Sequence, residues 1–180
     1  MKFESLTVTQ TASQTLITLD DAKAQLRVAD DFDNDKITTC MESAVSYCEG
    51  FLWRSFRPQT IVASYSPDGR PFAELMRANF GALVSVKYYD ANDTLQEIGT
   101  ESVIVDSTLF VPRAYFKEPT TSESVFAPIK IEYTTSAGNV PDQIKQAALI
   151  ATAQFYDDRD APDLTAVDNI LRALATRYFL

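Results

Sequence analysis

The chain has 180 residues, 16 basic and 25 acidic, for a net charge of −9, and no histidine. Its length suits one sizeable core, its acidity argues against gripping nucleic acid by the phosphates, and the missing histidine removes the commonest general base and metal ligand. Hydrophobic residues at 46% with 5 glycines mark a globular protein rather than a fibre or a disordered chain.

Met1-Lys2-Phe3-Glu4 leads into a Thr, Ser and Gln run that lacks the apolar centre of a signal peptide. No apolar stretch approaches the ~20 residues of a membrane span, so no membrane partner is expected. Residues 1–17 read as an N-terminal arm, extended or forming an edge strand.

Residues 18–56 hold two helices. Thr18 and Asp21 form an acidic capping box, and Leu19, Ala22 and Leu26 set one face of a short helix ending near Val28. The second helix follows Asp33 and Asp35, which complement the positive end of its dipole. Its apolar face is Ile37, Cys40, Met41, Ala44, Cys48, Phe51 and Leu52, and Pro58 forbids much continuation past Phe56. Cys40 and Cys48, eight residues apart on one helix, sit ~12 Å apart, beyond the ~7 Å limit for bridging. Reduced, buried thiols and a reducing compartment follow.

Across residues 57–139 the period changes to two, with Asp68-Gly69, Asp90-Ala91-Asn92-Asp93 and Asp106-Ser107 as turns. Strands are expected at Thr60–Tyr65, Ala73–Met76, Leu83–Tyr89, Thr94–Ile98, Ser102–Val105, Leu109–Val111 and Ile129–Thr135. In the last, Ile129, Ile131 and Tyr133 face one way and Lys130, Glu132 and Thr134 the other. Ala114 to Ala127 reads as a long loop, with Phe116, Lys117, Glu118, Pro119 and Glu123 as its partner-facing residues.

Residues 140–180 return to helix. Pro141 suits a first helical turn, and Ile144, Ala147, Ala148, Ala151 and Phe155 make a face of mostly small residues that permits close helix approach. After the polar break at Asp157-Asp158-Arg159-Asp160, a final helix aligns Leu164, Val167, Ile170, Leu171 and Leu174 and runs to Arg177-Tyr178-Phe179-Leu180. The fold class is therefore α+β: a four-helix core, two N-terminal and two C-terminal, with an antiparallel β insert between the second and third helices.

Two motifs suggest metal chemistry. Asp31-Phe32-Asp33-Asn34-Asp35, with Thr39 and Glu42, partly matches a calcium loop, but Lys36 occupies the glycine place and helical periodicity already begins at Ile37. Asp157, Asp158, Asp160 and Asp163 could hold magnesium, yet they crowd one turn without a phosphate loop or a nucleophile. Neither motif is assigned a metal, no cofactor is called for, and no residue is named catalytic. Trp53 is the remaining candidate anchor, for a regulatory binding module.

The order of these segments resembles the head-tail connector (adaptor) family of long-tailed phages, in the subgroup with a sheet insert. The resemblance rests on Ile17-Thr18-Leu19-Asp20-Asp21-Ala22-Lys23-Ala24-Gln25-Leu26-Arg27-Val28, on Cys48-Glu49-Gly50-Phe51-Leu52-Trp53-Arg54 and on Tyr133-Thr134-Thr135-Ser136-Ala137-Gly138. Val140-Pro141-Asp142-Gln143-Ile144-Lys145-Gln146-Ala147 and Phe155-Tyr156-Asp157-Asp158-Arg159 complete it. It implies a single connector domain over residues 1–180 and a non-enzymatic subunit of a virion neck, assembled in the host cytoplasm. Identical subunits, typically twelve, would ring the portal exit, with a downstream neck or tail-completion protein on the other side. DNA would pass through without sequence-specific binding. The C-terminal segment would dock to the portal, and the residues there that suit docking are Arg172, Arg177, Tyr178, Phe179 and Leu180. From their charges alone, Asp157, Asp158, Arg159 and Asp160 are candidates to bridge neighbouring subunits of such a ring.

Overall fold

The alternation of periods along the chain produces, among the described residues, eight strands, four α-helices and one short 3-10 turn. This computed structural model describes residues 1–11, 16–77, 79–90, 92–109, 111–117, 129–136, 140–158 and 160–178, without the side chains of Gln10, Thr176, Arg177 and Tyr178. The chain forms two compact units: Ser13–Phe56 with Gly138–Leu180, and Met1–Ala12 with Arg57–Ala137.

The first unit is helical. Helix α1 (Leu19–Leu26) opens with the expected capping box, in which Asp21 N donates to Thr18 Oγ1 at 3.1 Å and Thr18 N to Asp21 Oδ2 at 3.4 Å. The Thr18 hydroxyl also donates to that carboxylate and lowers its pKa. Helix α2 (Asn34–Leu52) ends four residues earlier than Pro58 alone would require. Trp53 takes a left-handed conformation, and Phe56 N donates to the carboxylate of the buried Glu49 at 2.8 Å, turning the chain out of the helix. Helix α3 (Asp142–Asp157) starts just after Pro141, which serves as its cap, and α4 (Thr165–Tyr178) closes the unit.

Ile37, Met41, Ala44 and Cys48 of α2 meet Ile144, Ala147, Ala148 and Ala151 of α3 and Val167, Leu171 and Leu174 of α4 in one buried core. The sequence pattern supplies nearly all of these. Val45 and Glu49 are buried on α2 as well, whereas Phe51 and Phe155 are only half-buried.

The second unit is two antiparallel sheets. Strands β1 (Lys2–Thr11), β2 (Gln59–Ser66), β4 (Phe80–Tyr89), β5 (Leu95–Ile98) and β8 (Ile129–Thr135) form one, in the order β1-β2-β8-β4-β5. Strands β3 (Phe72–Glu74), β7 (Arg113–Phe116) and β6 (Val103–Asp106) form the other, in the order β3-β7-β6. Strict alternation on β2 and β8 sends Ile61, Ala63, Tyr65, Ile129, Ile131 and Tyr133 inward, where they meet Ala73, Leu75, Val103 and Ala114. The Tyr65 and Tyr133 hydroxyls donate to Glu74 O and Met76 O, both at 2.6 Å, and burial raises both phenol pKa values.

One open expectation is settled and two change. The N-terminal segment takes its edge-strand form: residues 2–11 pair with β2, and the Met1 ammonium contacts Asp68 Oδ1 at 2.6 Å. The strand expected at Leu109–Val111 is not where pairing occurs. Asp106 accepts from Thr108 N at 3.0 Å, Pro112 cannot donate to a ladder, and the strand runs instead from Arg113 to Phe116 opposite β6; Phe110 lies outside the described residues. The loop expected from Ala114 therefore begins later, because Ala114, Tyr115 and Phe116 belong to β7.

Candidate functional site

The start of α2 and the end of α3 are pinned together in the helical unit. The Tyr156 hydroxyl donates to Asp33 Oδ2, and Lys36 Nζ lies 3.6 Å from the centroid of the same ring. Asp33, accepting that bond, raises the phenol pKa of Tyr156, with burial adding to the effect. This joint brings Asp33, Asp30 and Asp157 to bear on one phenol, each raising its pKa, and so marks an acidic pole where α2 starts and α3 ends.

The turn between α1 and α2 is braced from both sides. Asp31 Oδ1 receives Lys23 Nζ at 2.7 Å and Asn34 Nδ2 at 3.1 Å, and these donors hold its pKa below the usual carboxylate value. Phe32 N donates to Asp30 Oδ1 at 3.2 Å, and Ile37 N to Asp33 O at 2.8 Å. Between them Phe32 is 93% exposed. The acids of the calcium-like run thus brace a helix start, and among the described residues no group of three His, Cys, Asp or Glu could hold a metal ion.

Beside this pole a groove of ≈ 500 Å³ runs along α2, lined by Asp35, Lys36, Thr39, Cys40 and Ser43, with Phe155 of α3 as its apolar wall. Cys40 and Cys48 are both buried, and only Cys40 reaches the groove.

The acidic connection after α3 largely serves its own backbone. Asp158 Oδ1 accepts from Asp160 N and Ala161 N, both at 3.2 Å, and Asp163 Oδ1 accepts from Thr165 N at 3.0 Å to start α4. Asp157 and Asp160 are exposed, and Arg159 lies outside the described residues. On α4, Asp168 Oδ1 receives the Tyr47 hydroxyl at 2.5 Å and Arg172 stands 3.7 Å from its other oxygen. That acceptor pushes the Tyr47 phenol up to about 12. Phe179 and Leu180 lie outside the described residues, as do the side chains of Arg177 and Tyr178. Of the loop candidates, Phe116 is half-buried in β7 and Lys117 Nζ donates to Glu101 O at 2.6 Å; Glu118, Pro119 and Glu123 lie outside the described residues.

Residues 16–118, more than half of the chain, match the family described as phage gp6-like head-tail connector protein. The chain belongs to that family. The match runs from just before α1 to just past β7, so it takes in parts of both units of this connector. Comparison with curated proteins gives no match. Among solved structures, the connector is similar to a chain in the neck of an empty gene transfer agent particle computed with C6 symmetry, with a TM-score of 0.76, 16% identity, and coverage of 97% of this chain and 95% of that one. A chain in the virion of a native gene transfer agent particle gives 0.73, 16%, 97% and 95%. A chain in the neck of a native particle computed with C12 symmetry gives 0.62, 13%, 92% and 94%. At such identities the likeness is one of fold, and it extends over β8, α3 and α4, beyond the family match.

Sequence reading finds the acidic connection and the helix faces but not the exposure of Phe32. The available signal was an aromatic residue set among acids in a turn that no apolar periodicity claims.

Proposed function

We propose that this connector forms a ring of identical subunits, typically twelve, in the neck of a virion. It joins the DNA-filled head to the tail, and DNA passes through it. The family match over residues 16–118 carries the reading. Similarity of fold to neck chains of particles solved with sixfold and twelvefold symmetry supports the ring, and a net charge of −9 suits a wall that must not hold the polymer it passes. The role is structural, with no bond-making step assigned to any side chain, and the helices and the β insert act as one connector subunit. Its contacts are the portal on one side and a downstream neck or tail-completion protein on the other.

The C-terminal tip, Arg172, Arg177, Tyr178, Phe179 and Leu180, docks to the portal, the aromatic and leucine side chains filling apolar pockets while the arginines meet acids. Asp157, Asp158, Arg159 and Asp160 lie between neighbouring subunits, and the segment with Phe116, Lys117, Glu118, Pro119 and Glu123 faces a partner. Mixing the full chain with purified portal rings and imaging the product by electron microscopy tests the assembly. A closed ring on the portal is expected, and removal of residues 178–180 should abolish it. Unchanged attachment of the shortened chain would sink the docking tip, and no ring under any condition would sink the connector assembly itself.

A further inference from the structure

Phe32 stands apart from every other large apolar side chain of the described surface, since the next most exposed, Ile104, is 57% exposed against its 93%. Burying such a ring against a partner removes its apolar area from water, which is favourable. The turn that carries it is braced, because Asp30, Asp31 and Asp33 fix the backbone on both sides through Phe32 N, Lys23, Asn34 and Tyr156. Only the side-chain torsions of the ring are left to be ordered when a partner buries it.

We propose that Phe32 is the anchor by which this connector docks a different protein of the particle, one whose surface offers an apolar socket rimmed by lysine and arginine. The proposal rests on the connector reading above and deepens it by assigning a surface. Charge selects the occupant. Acids flank the ring on both sides in the sequence, and Lys23 and Lys36, the cations seen at this turn and at the Tyr156 joint beside it, are already engaged there. The same pole of a second copy, or a DNA phosphate, meets repulsion there, while a basic surface is drawn in and oriented. An aromatic side chain buried in a partner's pocket and sealed from water by the contacts around it is a common form of interface hot spot.

The test uses assembled particles. Phe32→Ser should leave thermal unfolding unchanged, because the ring packs against nothing in the subunit, and should lower incorporation into particles by about tenfold or more. Phe32→Trp should retain incorporation. In parallel, a photoreactive phenylalanine analogue at position 32, activated in finished particles, should join a Lys- and Arg-rich stretch of another particle protein, mapped by mass spectrometry. Adducts to a second copy or to DNA, no adduct in particles that contain the chain, or normal incorporation of Phe32→Ser would each overturn the anchor. Particles that assemble normally and lack the chain altogether would overturn the connector reading and the anchor together.

Discussion

Glu49 shows what a single side chain decides in this protein. It lies on the buried face of α2, 2% exposed, yet its Oε1 accepts from Phe56 N at 2.8 Å and so fixes the turn that ends the helix. Pattern reading assigned α2 an apolar face without Glu49, because a carboxylate at that position is normally a solvent residue and the acceptor it supplies becomes visible only when residues 53–56 fold back. Replacing it with alanine leaves a buried N–H without its acceptor and should cost about 2–3 kcal/mol in urea unfolding. Glu49→Gln keeps an acceptor oxygen and should cost clearly less. Equal losses for the two variants would show that the helix end does not depend on this bond.

At the scale of elements, the helices were legible because each carries its own evidence. A capping box, a 3.6-residue apolar period and a terminating turn all lie within about twenty residues of one another. Strands β2 and β8 were legible for the same reason, through alternation. The misread strand is the one whose identity depends on a distant partner: β7 contains Arg113 and Ala114 rather than the apolar run at Leu109–Val111, whereas β1, rich in Thr and Ser, takes the edge place its sequence allows by pairing with β2. In β4 the register slips between Phe80 and Leu83, where a side chain at Gly81 would meet Thr134 O at 3.2 Å, so the strand reaches further back than its apolar residues suggest. The small face of α3 gives a prediction about packing. Ala147, Ala148 and Ala151 are fully buried in the helical core, so Ala148→Leu must push helices apart and should cost about 2–3 kcal/mol. The loss should appear as a lower urea midpoint with α-helical circular dichroism retained. A neutral result would mean that α3 does not lie as close as its alanines allow.

The candidate site was legible in sequence at its acids and illegible at its geometry. The run from Asp157 to Asp160 reads in the sequence as a charge cluster, but only the fold reveals that Asp157 shares a pole with Asp30 and Asp33 around Tyr156. Charge also sets how the whole molecule responds to pH. Asp31 beside Lys23, Asp68 beside Arg70 and the Met1 ammonium, and Asp90, Asp106 and Asp163, which accept backbone and side-chain donors, all have lowered pKa values. A carboxylate lowered in the folded state contributes stability above its unfolded pKa of ~3.9 and loses it as pH falls through the folded value. Acid loss should therefore set in below about pH 5 and deepen as pH falls through the folded values. At the alkaline end, burial pushes the Cys48 thiol from 9.0 up to about 12, and the Asp168 acceptor pushes Tyr47 from 10.0 up to about 12. Both groups stay protonated in the folded chain while the unfolded chain ionises, so their contributions are intact below the unfolded values and decline toward pH 12. Through Cys48 alone the slope is about 1.4 kcal/mol per pH unit. With no histidine to titrate, the urea midpoint should stay level from about pH 5 to about pH 8.5 and fall on either side. Cys48→Ala should flatten the alkaline limb and leave the acid limb unchanged. A fall in stability near pH 6, or an alkaline limb indifferent to that substitution, would place the controlling charges elsewhere.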